Sequence, residues 1–244
     1  MKKILFLLLV CFAVMIAKSQ TSFHPQVKIE FEKTVAMQAL FKEIAKDWYE
    51  RIKDRIPANM TSFFEFTGDT ARSIYKKSKE PTFDAKSMYL PATDDNVVYN
   101  DYTNGTTVSQ KPIFEETFLL QDSMINIKWK LTSDTRTIAG YECRKAIGIM
   151  YDTVTVFAFY TDELMVRGGP EGINGLPGMI LGMGIPRLHA TWFATKVQVF
   201  DINMQKTIPP TKGKKVNRQV MLKSMESVLK QWEFGKKMML STMI

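Results

Sequence analysis

The feature that most constrains the fold is the order in which apolar spacings change along the chain. Near the start, Val27, Ile29 and Phe31 alternate with Lys28 and Glu30, which predicts a half-buried strand. Further strand-like segments follow in runs, helical spacings lie near each end, and strands and helices do not alternate. The pattern predicts an α+β fold with a strongly curved antiparallel β-sheet or partial barrel, and a half barrel of the lipoprotein-carrier kind satisfies it.

Two segments have the apolar spacing of a helix that packs on a sheet. The first runs from Met37 to Ile52, where apolar residues fall on one helical face and Pro57 follows as a stop. The second is the C-terminal helix, expected at about residues 217–234 with Asn217 as its N-cap and a frayed tail after Lys236. Its apolar face contains Met221, Met225, Val228, Leu229 and Trp232.

Strands are predicted between these helices. Loops with one short strand at Val97–Tyr99 are expected over residues 79–112, because polar residues and prolines dominate there. The other predicted strands are 63–66 and 72–75 around a turn at Gly68–Asp69, a hairpin of 114–120 with 125–131, a hairpin of 143–150 with 153–161 around Tyr151–Asp152, and 189–200.

The N-terminal residues have the pattern of a cleavable signal peptide. Lys2 and Lys3 precede an unbroken apolar run from Ile4 to Ala17, which is too short to span a bilayer. Cleavage is expected after Ser19, so residues 1–19 form the signal peptide and residues 20–244 a single domain. The expected location is therefore periplasmic or secreted, and no transmembrane segment is expected in the mature chain.

Charge and cysteine content exclude one class of partner and one kind of covalent link. The net charge of +8 falls to +5 after cleavage, because residues 1–19 contain three lysines and no acid. This charge is spread along the chain without a basic stripe, so nucleic acid is not an expected partner. The mature chain keeps only Cys143, which excludes an internal disulfide.

A glycine-rich segment, GPEGINGLPGMILGMGIP at residues 169–186, suggests a phosphate loop at first sight. However, no lysine occurs between Gly168 and Arg187, whereas a P-loop needs one to contact the phosphates. The dinucleotide fingerprint is also incomplete, because Gly182 and Gly184 lack a third glycine and a following helix. The segment predicts a tight turn around Leu176–Pro177 that launches a strand, or a binding loop for a partner or ligand.

No catalytic residue or metal site is expected. Cys143 and His189 are both predicted in strands, and Cys143 is a candidate reactive thiol only if it is exposed beside a positive charge. Zinc-ligand spacings and calcium loops are absent from the sequence, and His24 is distant from His189. We therefore expect no cofactor and no metal.

Several motifs together resemble a known family. Residues 175–181, Gly-Leu-Pro-Gly-Met-Ile-Leu, are similar to the signature of the GLPGLI family of secreted Gram-negative envelope proteins, with Met179 in place of leucine. Residues 137–146 resemble its I-x-GY-x-C-x-KA strand, and Phe159–Thr161 and Gly169–Pro170 match two further steps. Ala158–Phe159 departs from the family, in which a tryptophan is common. The resemblance is clearest over residues 114–200.

The resemblance implies a role without defining a reaction. Members of the family it resembles have no established function and are considered alongside TonB-dependent outer-membrane transport. We therefore expect a non-enzymatic periplasmic binding or accessory protein whose partner is an outer-membrane transport protein. Two alternatives remain, namely a carrier of an apolar ligand or lipid in a half-barrel cavity and an uncharacterised enzyme. The candidate binding loop is Gly175, Leu176, Pro177, Gly178, Met179, Ile180 and Leu181.

Overall fold

The computed structural model describes residues 25–83, 95–113, 115–229 and 235–244. The predicted signal peptide, His24 and Phe114 lie outside these residues. The strands are β1 Gln26–Val35, β2 Met60–Asp69, β3 Arg72–Lys79, β4 Val97–Asp101, β5 Thr106–Ile113, β6 Glu116–Ser123, β7 Lys128–Ile138, β8 Tyr141–Met150, β9 Val154–Thr161, β10 Met179–Ile185, β11 Ala190–Gln198 and β12 Lys214–Val216. The helices are α1 Met37–Ile44, α2 Lys46–Ile52, α3 Arg218–Leu229 and α4 Gly235–Met243.

All of these strands belong to one open sheet. Its order is β12-β6-β5-β4-β3-β2-β1-β11-β10-β9-β8-β7, so β12 and β7 are its two edges. Neighbouring strands are antiparallel except for β12 and β6, which run parallel. The predicted class, α+β with a strongly curved antiparallel sheet, is therefore confirmed.

The inner face of the sheet forms the main core. In the central strand β1, Val27, Ile29 and Phe31 are almost fully buried, as the alternation predicted. The next inward position is occupied by Lys33, which is 7% exposed. Its Nζ lies 5.8 Å from the ring centroid of Phe64 in β2 and 5.3 Å from that of Trp192 in β11. The core also contains the buried aromatic side chains Phe66, Tyr75 and Tyr160.

The predicted hairpin of residues 114–120 and 125–131 is wrong. β6 pairs with β5 and β12, whereas β7 pairs with β8 at the opposite edge of the sheet. In the segment that links β6 and β7, Ile127 is buried beside Gly148 of β8. The alternation of apolar residues identified strands in both places, but the partner of each strand was decided by long-range packing.

Three local strand predictions are corrected. The turn between β2 and β3 lies at residues 70–71 and not at Gly68–Asp69, because the Asp69 carboxylate accepts hydrogen bonds from the amides of Ala71 and Arg72. A predicted loop contains β5, whose inward side chains include Thr107 and Ser109 and therefore lack an apolar alternation. The strand predicted at 189–200 begins at residue 190.

The helices also differ in detail from the expectation. The N-terminal helix is two short helices that break at Ala45, where φ is −149°. Asn217 caps α3 as predicted, since its side-chain oxygen accepts a hydrogen bond from the amide of Val220. The tail is helical and not frayed after Lys236, because Leu240 in α4 and Ile244 directly after it are buried. Residues 230–234 of the predicted helix lie outside the described part.

None of the described helices has the length and apolar character needed to cross a membrane.

Candidate functional site

The stretch of chain that follows β9 and precedes β10 contains most of the glycine-rich segment and packs against core side chains of the sheet. A Cβ at Gly168 would meet Tyr102 and Phe66, and one at Gly172 would meet Val98 of β4. Further along, Trp129 of β7 donates a hydrogen bond of 3.0 Å from Nε1 to the main-chain oxygen of Asn174. The segment therefore reaches from β4 to β7 and fills space between strands that lie far apart in the sheet order.

The candidate binding loop divides into a buried and an exposed part. β10 begins at Met179, as expected, and Met179, Ile180 and Leu181 are fully buried. Leu176 also packs into the core, at 3% exposure, whereas Gly175 and Pro177 are exposed. Gly178 is buried against β9. Only the tip of the predicted loop is thus accessible to a partner.

A cluster of buried charges lies beneath this segment. Glu171, in a short turn at Pro170–Gly172, points its carboxylate toward the ammonium of Lys33, with Oε1 and Nζ 3.8 Å apart. Lys111 of β5 donates a 2.8 Å hydrogen bond to the main-chain oxygen of Ile244. All three charged side chains are less than a tenth exposed, so water contributes little to stabilising their charges.

Sequence reasoning did not select Lys33, Lys111 or Glu171. Lys33 was detectable, since it occupies an inward position in the alternation of β1. Lys111 had no such signal, because the inward positions of β5 are largely polar. Glu171 has a left-handed φ of 54°, which sequence patterns do not indicate for glutamate.

Burial lowers the pKa of the Lys111 ammonium from its ordinary 10.5 to about 8, and Lys33 and Arg218 lower it further while Glu171 opposes the change. Lys111, Glu171 and Arg218 line a cavity of about 20 Å³. That volume suits a single water molecule and no larger ligand. The cavity beside the charged cluster is therefore too small for a substrate-sized ligand.

The Lys111 pKa predicts a rise in stability with pH. Between pH 8 and 10.5 the unfolded chain binds more protons than the folded one, so the free energy of unfolding increases across that window and is flat below it. The total rise is roughly 3 kcal/mol at 1.36 kcal/mol per pH unit. Urea unfolding of the wild type and of Lys111→Met at several pH values measures this rise. Subtracting the free energy of unfolding of the variant from that of the wild type cancels the titration of the groups that both proteins share. A difference independent of pH would contradict the prediction.

Cys143 is fully buried in β8, and its Sγ lies 3.6 Å from the main-chain oxygen of Tyr141. Burial raises the pKa of the Cys143 thiol to about 12, and Glu163 raises it further. The thiol is therefore protonated at neutral pH, which does not favour nucleophilic chemistry.

His189 lies in a turn and not in a strand, with a left-handed φ of 48°. Its Nε2 is 2.6 Å from Oε2 of Glu43 in α1, whereas Cys143 contacts Tyr141. The two residues have separate partners, so the hydrogen bonds give no support to a joint thiol–imidazole site. No group of three or more potential metal ligands occurs in the described parts of the chain.

An open groove borders the exposed tip of the candidate binding loop. It has a volume of about 570 Å³, which lies within the range of small-molecule sites. Its lining residues combine apolar side chains with one cation: Thr70, Tyr102, Met124, Met165, Arg167, Asn174, Gly175, Leu176 and Pro177. Tyr102 is held in place because its hydroxyl oxygen is 2.7 Å from Oγ of Ser73.

Comparison with protein families identifies the chain's relatives. Residues 83–222 match the profile of the family described as "N-glycanase peptide, N-terminal domain". The chain belongs to this family. The match includes β4–β12, the glycine-rich segment and every lining residue of the groove except Thr70. No curated protein sequence matches the chain.

One solved structure of PNGF-II shows the same fold at low identity, and two further structures are similar at lower TM-scores. A structure of PNGF-II in space group P21 has a TM-score of 0.53 and 16% identity, and covers 82% of this chain and 33% of PNGF-II. PNGF-II in space group C2 gives 0.49 and 16%, with 80% and 31% covered. An uncharacterized conserved protein from Thermus thermophilus gives 0.39 and 6%, with 80% and 91% covered. The chain thus spans about a third of PNGF-II.

Proposed function

We propose that this protein is a non-enzymatic binding or accessory protein whose binding site is the groove at the tip of the glycine-rich segment. The proposal rests on the observation that this segment has a buried part and an exposed part. Its buried part fills the core, while Gly175 and Pro177 line an open groove of about 570 Å³. Loops that are held by a rigid scaffold commonly supply binding surfaces.

The buried positions of the reactive groups support binding over catalysis. Lys111, Glu171 and Cys143 are each at most 5% exposed. The cavity beside Lys111 and Glu171 is about 20 Å³, too small for a substrate. The groove itself presents a single cation, Arg167, without an acid among its lining residues that could act with it as an acid–base pair.

The setting of this role is the cell envelope. The N-terminal signal-peptide pattern and the GLPGLI-like motifs both favour a periplasmic protein, and we retain membership of that family as a proposal. The partner that this resemblance implies is an outer-membrane transport protein of a TonB-dependent system. The alternative ligand, an apolar molecule or lipid, would bind in the same groove, because the glycine-rich segment packs against the inner side chains where a half-barrel cavity was expected.

A second candidate function follows from the family match. The family is described as the N-terminal domain of an N-glycanase, and the chain spans a third of PNGF-II. The chain would then be an accessory domain that presents glycan-bearing peptides to a separate enzyme. Binding of a glycosylated peptide but not its deglycosylated form would favour this candidate over the first.

The groove predicts the effect of a charge introduced at its rim. The Met165 side chain is 45% exposed and would be buried by a bound partner. Glutamate at this position removes the favourable burial of that apolar side chain. We expect Met165→Glu to reduce the retention of a partner from detergent-solubilised envelope extracts about tenfold, corresponding to about 1.4 kcal/mol. Quantitative mass spectrometry of proteins retained on immobilised wild type and variant measures the loss.

Ile208→Glu is the matched control, because Ile208 is an exposed apolar loop residue outside the groove lining. It should leave retention unchanged. Equal retention by the wild type and Met165→Glu would contradict the placement of the site, and absence of any retained envelope partner would contradict the protein-partner role.

A further inference from the structure

We infer that the groove takes an extended peptide segment in which apolar side chains flank a carboxylate, and that Arg167 pairs with that carboxylate. The inference rests on the proposed function, since it names the ligand of the same groove. It assigns Arg167 as the residue that determines specificity for an acidic segment.

Arg167 is the available cation of the groove. It is exposed, and no ion pair or hydrogen bond engages it among the residues that the structure describes. Two acids are adjacent in sequence to lining residues, namely Asp69 beside Thr70 and Asp101 beside Tyr102. The Asp69 carboxylate accepts hydrogen bonds from two main-chain amides of its turn. The Asp101 carboxylate accepts hydrogen bonds from the main-chain and side-chain amides of Asn104. A guanidinium in this setting favours a bidentate carboxylate partner.

The walls of the groove are fixed in place. Tyr102 is held by Ser73, and burial raises the pKa of the Tyr102 hydroxyl to about 12, so it stays protonated. On the other wall, Trp129 anchors the main chain at Asn174. Because the groove is preformed, its side chains lose little conformational entropy on binding. This favours a short peptide segment that is already extended.

Apolar groups occupy most of the remaining lining. Met124 and Met165 supply flexible thioethers that adapt to varied side chains, and the exposed Pro177 supplies a fixed apolar contact. Two of the polar lining groups already have partners, because the Asn174 amide donates to the main-chain oxygen of Gly172 and the Tyr102 hydroxyl lies 2.7 Å from Oγ of Ser73. The lining therefore does not suit a neutral glycan that presents many hydroxyls. The groove is open on one side, so an alkyl chain would remain partly in water. An extended peptide can instead place alternate side chains in the groove and in solvent.

The charge of the whole protein is consistent with this ligand. Its sequence has 33 lysines and arginines against 25 acids, which gives a net charge of +8, or +5 once residues 1–19 with their three lysines are removed. A positive field of this kind increases the rate at which acidic segments meet the surface. The pairing at Arg167 then supplies the local selection.

The test uses a fluorescent library of short peptides in which glutamate lies between apolar residues, with a matched library carrying glutamine. We expect the folded protein to bind the glutamate library at least about tenfold more tightly than the glutamine library, as a charge-assisted pair predicts. Arg167→Gln should abolish this preference, and Arg167→Glu should reverse it. Fluorescence anisotropy measures all of these affinities.

Arg187→Gln is the control, because Arg187 is exposed at the far end of β10 and outside the groove lining. It should leave the preference intact. Equal affinity for both libraries, or a preference that survives in Arg167→Gln, would overturn the inference. Tighter binding of oleate or of chitobiose than of the glutamate library would also overturn it. If Met165→Glu loses its envelope partner while Arg167→Gln keeps it, the inference fails and the proposed function stands.

Discussion

Gly178→Ala is expected to destabilise the protein by about 3 kcal/mol, near the upper end of the cost of overpacking a core. A Cβ at this position would lie 2.0 Å from the main-chain oxygen of Thr161 and 2.7 Å from its carbonyl carbon. Both atoms belong to the end of β9, which is held in the sheet by β8 and β10. Because the obstacle is backbone, a side-chain rotation cannot relieve the clash. Urea unfolding at neutral pH measures the loss.

Gly184→Ala is the matched control within the same segment. The nearest atom to its Cβ would be 3.7 Å away, an ordinary van der Waals distance, and its backbone is that of β10. We expect a change of about 0.5 kcal/mol or less, because alanine restricts the unfolded chain more than glycine and meets no obstacle in the folded one. Similar losses for both variants would show that Gly178 is not specifically constrained by β9.

Glu171→Gln should cost about 3 kcal/mol in the free energy of unfolding. The variant keeps the size of the side chain but removes the negative charge that faces Lys33 across 3.8 Å and acts on Lys111. Two buried ammonium groups would then lack that anion, and the loss of one member of a buried ion pair typically costs about 3–5 kcal/mol. Equilibrium urea unfolding measures it, and the pKa of Lys111 should fall further.

Glu80→Gln provides the comparison at the surface. Glu80 pairs with Lys77 at 3.1 Å, but its side chain is 84% exposed, so its removal should change stability by less than about 1 kcal/mol. The double variant Lys33→Met/Glu171→Gln should be more stable than Glu171→Gln alone, because it also removes a buried ammonium. Equal stability of the double and single variants would contradict a charge-based explanation.

The candidate site was predictable only in part. The sequence placed a strand at Met179 and a core contact at Leu176, because proline and glycine set the turn and the apolar run after it sets the strand. It did not reveal that this segment crosses the sheet to reach Trp129, or that Arg167 would lie beside its tip. Trp129 belongs to a strand that is distant in the chain, and Arg167 lies in the irregular segment between β9 and β10, so local periodicity carries no information about either contact.

The same distinction holds for the fold. Residue spacing by itself determined most of the strands, the hairpin of β8 and β9, the cap at Asn217 and the antiparallel class, because periodicity and turn chemistry are local. Only the tertiary structure decided that β6 and β7 separate to different regions of the sheet and that Lys33, Lys111 and Glu171 share one buried cluster. These outcomes depend on which surfaces bury one another as the sheet curves, and that is a property of the whole chain.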